Sequence, residues 1–283
     1  VDENVSKAVL ISGCSTGIGR ATAERLHERG WNVYATARNP DSIADLAGRG
    51  MKTLALDVTD ESSIREAVAA VEAAEGAVGV LVNNAGYGQQ GAVEAVELDA
   101  IRRQFETNLL GYVRLAQACL PGMRHQRWGR IVNLSSVNGR VVFPAAGVYC
   151  ATKHAIEALS DALRFEVRGF GIEVAIVEPG PIRTEFTGAA GNMFPAPGAA
   201  GGVYDELHAA VEKGDAETDQ SFIAGDADDV AKAIERAIGS RRPRARYRVT
   251  AVARLLPKLR ALIRDRGWDL FLRTQAPRPS AKR

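Results

Sequence analysis

Ala8-Val9-Leu10-Ile11-Ser12 followed by Gly13-Cys14-Ser15-Thr16-Gly17-Ile18-Gly19 is the stretch that decides the fold. Ala8 to Ile11 are wholly apolar, as a strand buried on both faces of a parallel sheet requires. The glycine-rich turn comes at once, and Ala21, Ala23 and Leu26 then recur at helical spacing up to Gly30. Strand, glycine turn and helix in that order open a nucleotide-binding βαβ unit. The glycines let backbone N–H groups approach a pyrophosphate at the positive end of the helix. A tight turn with no ligand shows the same local pattern. The spacing is G-x-x-x-G-x-G, not the commoner G-x-G-x-x-G.

The pattern repeats outward from there. Trp31 to Thr36 reads as a second strand, ending at Ala37-Arg38-Asn39-Pro40. A fold that takes NAD keeps an acid here for the ribose 2′-OH. This chain has Arg38 instead, whose fork suits a 2′-phosphate, so the reading is NADP(H) over NAD(H). The competing reading is a solvated loop arginine. Met51 to Leu56 is a third strand, and Asp57 and Val58 at its end are placed to flank an adenine. A helix from Glu61 to Glu75 and a strand from Val78 to Val82 follow, then Asn83-Asn84-Ala85-Gly86, whose amides are expected to lock neighbouring loops.

Asp99 to Arg124 is helical, with Ile101, Phe105, Leu109, Val113 and Ala116 expected inward and Asn108 and Gly111 interrupting. A mid-helix asparagine is either exposed or part of a kink that serves a site. Arg130 to Ser135 is the fifth strand, followed by Ser136, and a helix beginning at Tyr149 carries Ala155, Ile156, Leu159, Leu163 and Val167. Ile172 to Val177 is the sixth strand, ending in Glu178-Pro179-Gly180-Pro181-Ile182-Arg183-Thr184. Residues 186–225 are rich in Gly, Ala and Pro without a strong period, and are read as a substrate loop and lid. A capped helix from Asp226 to Ile238 and a last strand at Arg246 to Val249 complete the series. This alternation argues for one α/β domain, a doubly wound parallel sheet flanked by helices over residues 6–250.

With 46% hydrophobic and 25% charged residues among 283, the composition is that of an ordinary globular protein. Cys14, Cys119 and Cys150 are scattered, without metal-ligand spacing, and fit a reducing cytoplasm. No metal site is expected. The polar, acidic Val1-Asp2-Glu3-Asn4 predicts no secretory leader, and no run reaches the ~20 apolar residues of a membrane span. Charge is unevenly placed. From Ser240 onward fourteen basic residues face two acidic ones, a net of +12, while residues 1–239 carry −10.

Val148-Tyr149-Cys150-Ala151-Thr152-Lys153 adds chemistry. Residues at i and i+4 share one helix face, so the Lys153 ammonium is expected to pull the Tyr149 phenol below its ordinary ~10 and make it a general acid. A half-buried ring beside a solvated lysine gives the same spacing.

Taken together, the chain resembles the short-chain dehydrogenase/reductase family over roughly residues 6–250. Gly13-x-x-x-Gly17-x-Gly19, with Ser12 in place of the usual threonine, matches its glycine motif, and Asn83-Asn84-Ala85-Gly86 its N-N-A-G segment. Asn108, Ser136, Tyr149 and Lys153 match its four catalytic positions. Pro179-Gly180 with Thr184 matches the segment that approaches the nicotinamide carboxamide, and Ile182 lies within it. The resemblance implies a Rossmann-type sheet of order 3-2-1-4-5-6-7 that binds NADP(H) through Gly13, Ser15, Thr16, Gly17, Ile18, Gly19, Arg38, Asp57, Val58, Asn84, Ala85, Gly86, Tyr149, Lys153, Pro179, Gly180, Ile182 and Thr184. It implies that Ser136 bonds a substrate carbonyl, Tyr149 passes the proton, Lys153 lowers the tyrosine, and Asn108 links Lys153 to solvent through water.

Residues 251–283 form a basic amphipathic extension, and with Tyr34 to Arg38 they resemble the branch of 17β-hydroxysteroid and retinol dehydrogenases and their bacterial relatives. That implies a hydrophobic alcohol or ketone as substrate and a homodimer or homotetramer. Leu259, Leu262 and Ile263 beside Arg254, Lys258 and Arg260 make the extension a lid, a packing helix or a peripheral membrane contact. No recognised module points to nucleic acid. Reduction of an acyl-carrier-protein thioester and a non-catalytic NADP(H) sensor are the alternatives in function.

Overall fold

The computed structural model describes residues 5–184, 194–219 and 221–279. Strand β1 (Ala8–Ile11) passes through the glycine turn into α1 (Gly17–Glu28), then β2 (Asn32–Ala37), the short α2 (Ala44–Gly48), β3 (Lys52–Ala55), α3 (Glu61–Glu75) and β4 (Val80–Asn83). Next come α4 (Leu98–Phe105), a π-helical turn (Glu106–Leu110), α5 (Gly111–His125), β5 (Gly129–Leu134), α6 (Gly147–Val167) and β6 (Ile172–Pro179). The short strands β7 (Ile182–Arg183) and β8 (Gly225–Asp226) bracket α7 (Asp205–Asp219), and α8 (Ala227–Gly239), β9 (Arg246–Val249) and α9 (Ala251–Gln275) follow.

Seven strands form one parallel sheet in the order β3-β2-β1-β4-β5-β6-β9. This is the expected order, with β9 as seventh strand because β7 and β8 pair only with each other. Successive side chains leave opposite faces of a strand, which splits the core in two. Val9, Ile11, Val82 and Val132 pack against Leu26 of α1 and Val230 and Ile234 of α8. Leu10, Leu81 and Ile131 pack against Ile64 and Val71 of α3 and Leu115 and Met123 of α5. The order reverses between β1 and β4, which opens a crevice at the carboxyl ends of the strands.

Two expectations need correction, and α6 shows a polar buried face. On the α4–α5 helix the inward residues include Gln104, Asn108, Tyr112, Leu115 and Cys119, while Ile101, Phe105, Leu109 and Val113 are only half buried. The polar pair turns inward because both amides bond the Tyr87 carbonyl, Gln104 at 2.9 Å and Asn108 at 2.7 Å. On α6 the buried face carries Lys153, Glu157 and Ser160, and Leu159 is exposed, because these polar groups find partners on the sheet. Residues 186–225 are not only loop. Helix α7 forms there because Leu207 and Val211 pack on Ala92 and Ala95, a tertiary contact that leaves little trace in a polar sequence. Residues 186–193 and 220 lie outside the described residues, as do 280–283 of the extension.

Helix α9 folds back onto the body. Trp268 is buried against Val137, Val141 and Ala253, and its ring N–H donates to the Val142 carbonyl at 3.2 Å. The helix breaks at Arg264, whose φ of 57° is left-handed. Among the described residues no helix is long and apolar enough to cross a membrane.

Candidate active site

The glycine turn is built for close approach. Gly13 and Gly17 have φ of 77° and 59°, where glycine carries no steric cost. A Cβ on Gly19 would stand 2.1 Å from the Gly13 carbonyl oxygen, so only glycine lets α1 begin there. Thr16 caps α1 without a side-chain hydrogen bond, which leaves the helix's first N–H groups facing the crevice. Ser12, fully buried, fixes the neighbouring rim: its hydroxyl accepts from Asn84 N at 3.0 Å and Ala85 N at 3.1 Å. The Asn84 amide returns bonds to the Ser12 and Gly13 carbonyls, both at 2.9 Å.

One cavity of about 1650 Å³ collects nearly every residue singled out from the sequence. Gly13, Ser15, Thr16, Gly17, Ile18, Arg38, Asp57, Val58, Asn84, Ala85 and Gly86 line it, together with Ser136, Tyr149, Lys153, Pro179, Gly180, Ile182 and Thr184. Gly19 and Asn108 do not. Asn108 is buried in the π-turn, its Oδ1 accepting from Tyr87 N at 3.0 Å and its Nδ2 donating to Tyr87 O. Its side chain therefore clamps the loop after β4. The π-turn also lets Gly111 sit against Val58, where a Cβ would come within 2.9 Å.

Tyr149 is half-buried on the cavity wall, and the Ser136 hydroxyl hydrogen-bonds its phenol. Lys153, 4% exposed, donates to the Leu134 carbonyl at 2.8 Å. Its Nζ stands 5.7 Å from the ring centroids of both Tyr112 and Tyr149. The electrostatics reverse the sequence expectation for the tyrosine. Removal from water raises the Tyr149 phenol above its ordinary value, and the Ser136 bond offsets only part of that. Burial also lowers Lys153 to about 7, opposed by the carboxylate of Glu157. Desolvation decides the direction, and the phenol is neutral at neutral pH.

Arg38 is exposed at the cavity edge and makes no ion pair among the described residues, unlike Arg20, which pairs with Asp45 and Glu24. Asp57 holds its own loop, accepting from Thr59 N at 2.8 Å. Groups without a role from the sequence also line the cavity: Tyr87, Gln90 and Asp215, Val211 and Ile223, and Val252 and Leu256 of α9. The apolar residues of α9 were signalled by the length of the extension, and Val211, Asp215 and Ile223 only as part of the 186–225 segment.

A family model for short chain dehydrogenases matches residues 7–193. A 3-ketodihydrosphingosine reductase of Bacteroides thetaiotaomicron is 41% identical over 179 residues, 63% of this chain and 65% of that protein. The match thus spans just under two thirds of that relative. An NADPH-dependent 3-dehydrocapnine reductase of Ornithobacterium rhinotracheale is 32% identical over 272 residues, 92% of this chain and 94% of the other. A solved short-chain dehydrogenase from Streptomyces avermitilis superposes with a TM-score of 0.78 at 34% identity, covering 96% of this chain and 99% of its own. Other solved structures of this fold hold NADP or NAD. With the glycine turn, the Ser–Tyr–Lys wall and the sheet order all present, this chain belongs to the short-chain dehydrogenase/reductase family of oxidoreductases that use a nicotinamide cofactor.

Proposed function

We propose that the chain is an NADP(H)-dependent oxidoreductase that moves a hydride between the nicotinamide and the carbonyl or alcohol carbon of a hydrophobic substrate. The observation that carries this is the Ser136–Tyr149 hydrogen bond, set beside buried Lys153 in the cavity into which the glycine turn opens. The residues fit the cofactor. The open N–H groups of α1 would take the pyrophosphate, Arg38 a 2′-phosphate, and Asp57 and Val58 would flank the adenine. Asn84, Ala85 and Gly86 would line the middle of the cofactor's groove, and Pro179, Gly180, Ile182 and Thr184 would hold the carboxamide. When bound, the cofactor supplies or takes up the hydride.

The chain's own groups handle the proton. In reduction Tyr149, neutral at pH 7, gives its proton to the substrate oxygen as negative charge develops there. Ser136 donates a hydrogen bond to the same oxygen. Lys153, as an ammonium, steadies the phenolate that results. Oxidation runs these steps backward. Asn108 acts by holding the Tyr87 loop and the π-turn in place.

Val252 and Leu256 of α9 and Val211 of α7 give the cavity an apolar wall, which suits a hydrophobic substrate. Both relatives above are named for reducing a 3-keto or 3-dehydro compound, which favours reduction of a ketone. Exposed Phe165 and Leu159 on α6 suit a homodimer or homotetramer. Exposed Leu255 and Leu262 beside Arg254 and Lys258 suit a peripheral contact with anionic lipid, tested by co-sedimentation with anionic vesicles at low and high salt. The activity test is NADPH oxidation and NADP+ reduction with steroids, retinoids, long-chain 3-keto amines, aliphatic ketones and acyl-carrier-protein thioesters, with NAD(H) in parallel. A long-chain ketone reduced with NADPH is the expected result. Turnover confined to thioesters, or absent with every carbonyl, sinks the proposal.

A further inference from the structure

Behind the catalytic wall lies a charged cluster that the proton steps leave unused. Glu157 sits one turn beyond Lys153 on the buried face of α6, and its side chain is 8% exposed. Glu178 is the next-to-last residue of β6, its side chain 1% exposed. Two buried carboxylates at a sheet edge are costly unless paired. Strand β9 supplies the pairing. Arg246 and Arg248, two residues apart, leave the same face of the strand. Arg246 Nε meets Glu157 Oε2 at 2.9 Å and Glu178 Oε1 at 3.2 Å, while its Nη2 meets Asp161 at 2.7 Å. Arg248 Nε meets the other Glu178 oxygen at 2.7 Å. Ser135 approaches Glu157 from the end of β5, and Gly139 packs on both, since a Cβ there would stand 2.6 Å from the Ser135 hydroxyl and 3.1 Å from Glu157 Cγ.

The groups around Lys153 are then few. Tyr149 and Glu157 come from its own helix, the Tyr112 ring from α5, and the Leu134 carbonyl from β5. Among the described residues, Glu157 is the anion whose charge acts on Lys153. A buried ammonium needs a counter-charge nearby to stay protonated. We infer that Glu157 is a positioning residue of the reaction, whose buried carboxylate, anchored to the last strand by Arg246, keeps Lys153 an ammonium beneath Tyr149. It acts only through Lys153. Part of the basic C-terminal surplus thereby gains a role, since β9 both closes the sheet and neutralises the carboxylates that the lysine depends on.

The inference rests on Tyr149 and Lys153 being the reacting pair, but its test needs no turnover. The chain has seven lysines. In protein labelled with 13C-lysine, the Cε signal of Lys153 is assigned by its loss in Lys153→Met, and its midpoint is followed against pH. Wild type is expected to titrate near 7. Glu157→Gln lowers the midpoint by about one pH unit, whereas Glu157→Asp keeps it within about half a unit. Glu157→Leu carries the same expectation as Gln and leaves no orphaned polar group, should the amide variant fail to fold. A midpoint unmoved in the neutral variants, even with a lower melting temperature, overturns the inference and makes Glu157 merely structural. Turnover that survives Tyr149→Phe overturns the reaction assignment while leaving this coupling standing.

Discussion

Lys153 donates from Nζ to the main-chain carbonyl of Leu134 at 2.8 Å, tying α6 to the end of β5 while keeping the amine almost out of water. Burial depresses the lysine to about 7, whereas the unfolded chain leaves it at its ordinary ~10.4. Between those values the unfolded state binds more protons, so this group makes stability rise with pH across that window. At pH 7 the cost of holding the amine is on the order of 4 kcal/mol. Lys153→Met is therefore expected to abolish turnover and raise the melting temperature at pH 7, despite orphaning the Leu134 carbonyl. A fall in melting temperature, read by calorimetry, contradicts it.

Tyr149→Phe is expected to lose at least about a hundredfold in kcat, the scale of a general acid, while NADPH binding by fluorescence is unchanged. The raised phenol sets the direction of the pH dependence. Reduction needs the protonated form and holds through neutral pH. Oxidation needs the phenolate and accelerates as pH rises toward the phenol's value. An oxidation rate flat from pH 6 to 9 in wild type, with hydride transfer rate-limiting, counts against Tyr149 as the base.

Much of this was legible in the chain. The apolar run at Ala8 and the βα alternation after it pointed to a doubly wound parallel sheet, because parallel strands with crossover helices allow few other topologies, while the strand order came with the family resemblance. Gly17 was legible through spacing, and Ser136 through its match to the family motif. What escaped was polar and long-range. Periodicity assigns apolar residues inward, so it missed Gln104, and it marked Asn108 only as an interruption; both are buried to serve Tyr87. It missed Glu157 for the same reason, since its partner Arg246 lies 89 residues away. Helix spacing predicted the sign of the Lys153–Tyr149 interaction but carried no measure of burial, and burial decided the Tyr149 shift.

Arg38 stands at the cavity edge without a counter-ion among the described residues. Arg38→Ala is expected to raise KM for NADPH about tenfold to a hundredfold and leave KM for NADH little changed, as loss of a charge-assisted phosphate contact does. Equal effects on the two cofactors, measured by initial rates, refute its role at the 2′-phosphate.

Gly19→Ala tests the turn itself. The added Cβ would lie 2.1 Å from the Gly13 carbonyl and 2.5 Å from the Asn84 amide. Neither the backbone nor Asn84, fixed by Ser12, has room to yield. The variant is expected to lose cofactor binding by calorimetric titration and to unfold earlier. Gly30→Ala is the contrast, since its φ of 79° strains an alanine but nothing lies within 4 Å. It is expected to cost about 1 kcal/mol and keep binding.

Helix α9 forms part of the cavity wall through Val252 and Leu256, and a small cluster around buried Trp268 secures its second half. Trp268→Ala removes that anchor, and deletion of a buried tryptophan costs about 3–5 kcal/mol. The cluster is separate from the two cores flanking the sheet, so the loss is expected to fall on α9 before the whole domain. Trypsin should then cut first at Arg260, Arg264, Arg266 or Arg273, while the body of the chain persists. KM for an apolar ketone should rise, with KM for NADPH unchanged. Leu262→Ala, at a position 79% exposed, is the control and is expected to shift stability by no more than about 0.5 kcal/mol. If Trp268→Ala leaves both the tryptic pattern and the ketone KM as in wild type, α9 is a surface helix and not part of the substrate wall.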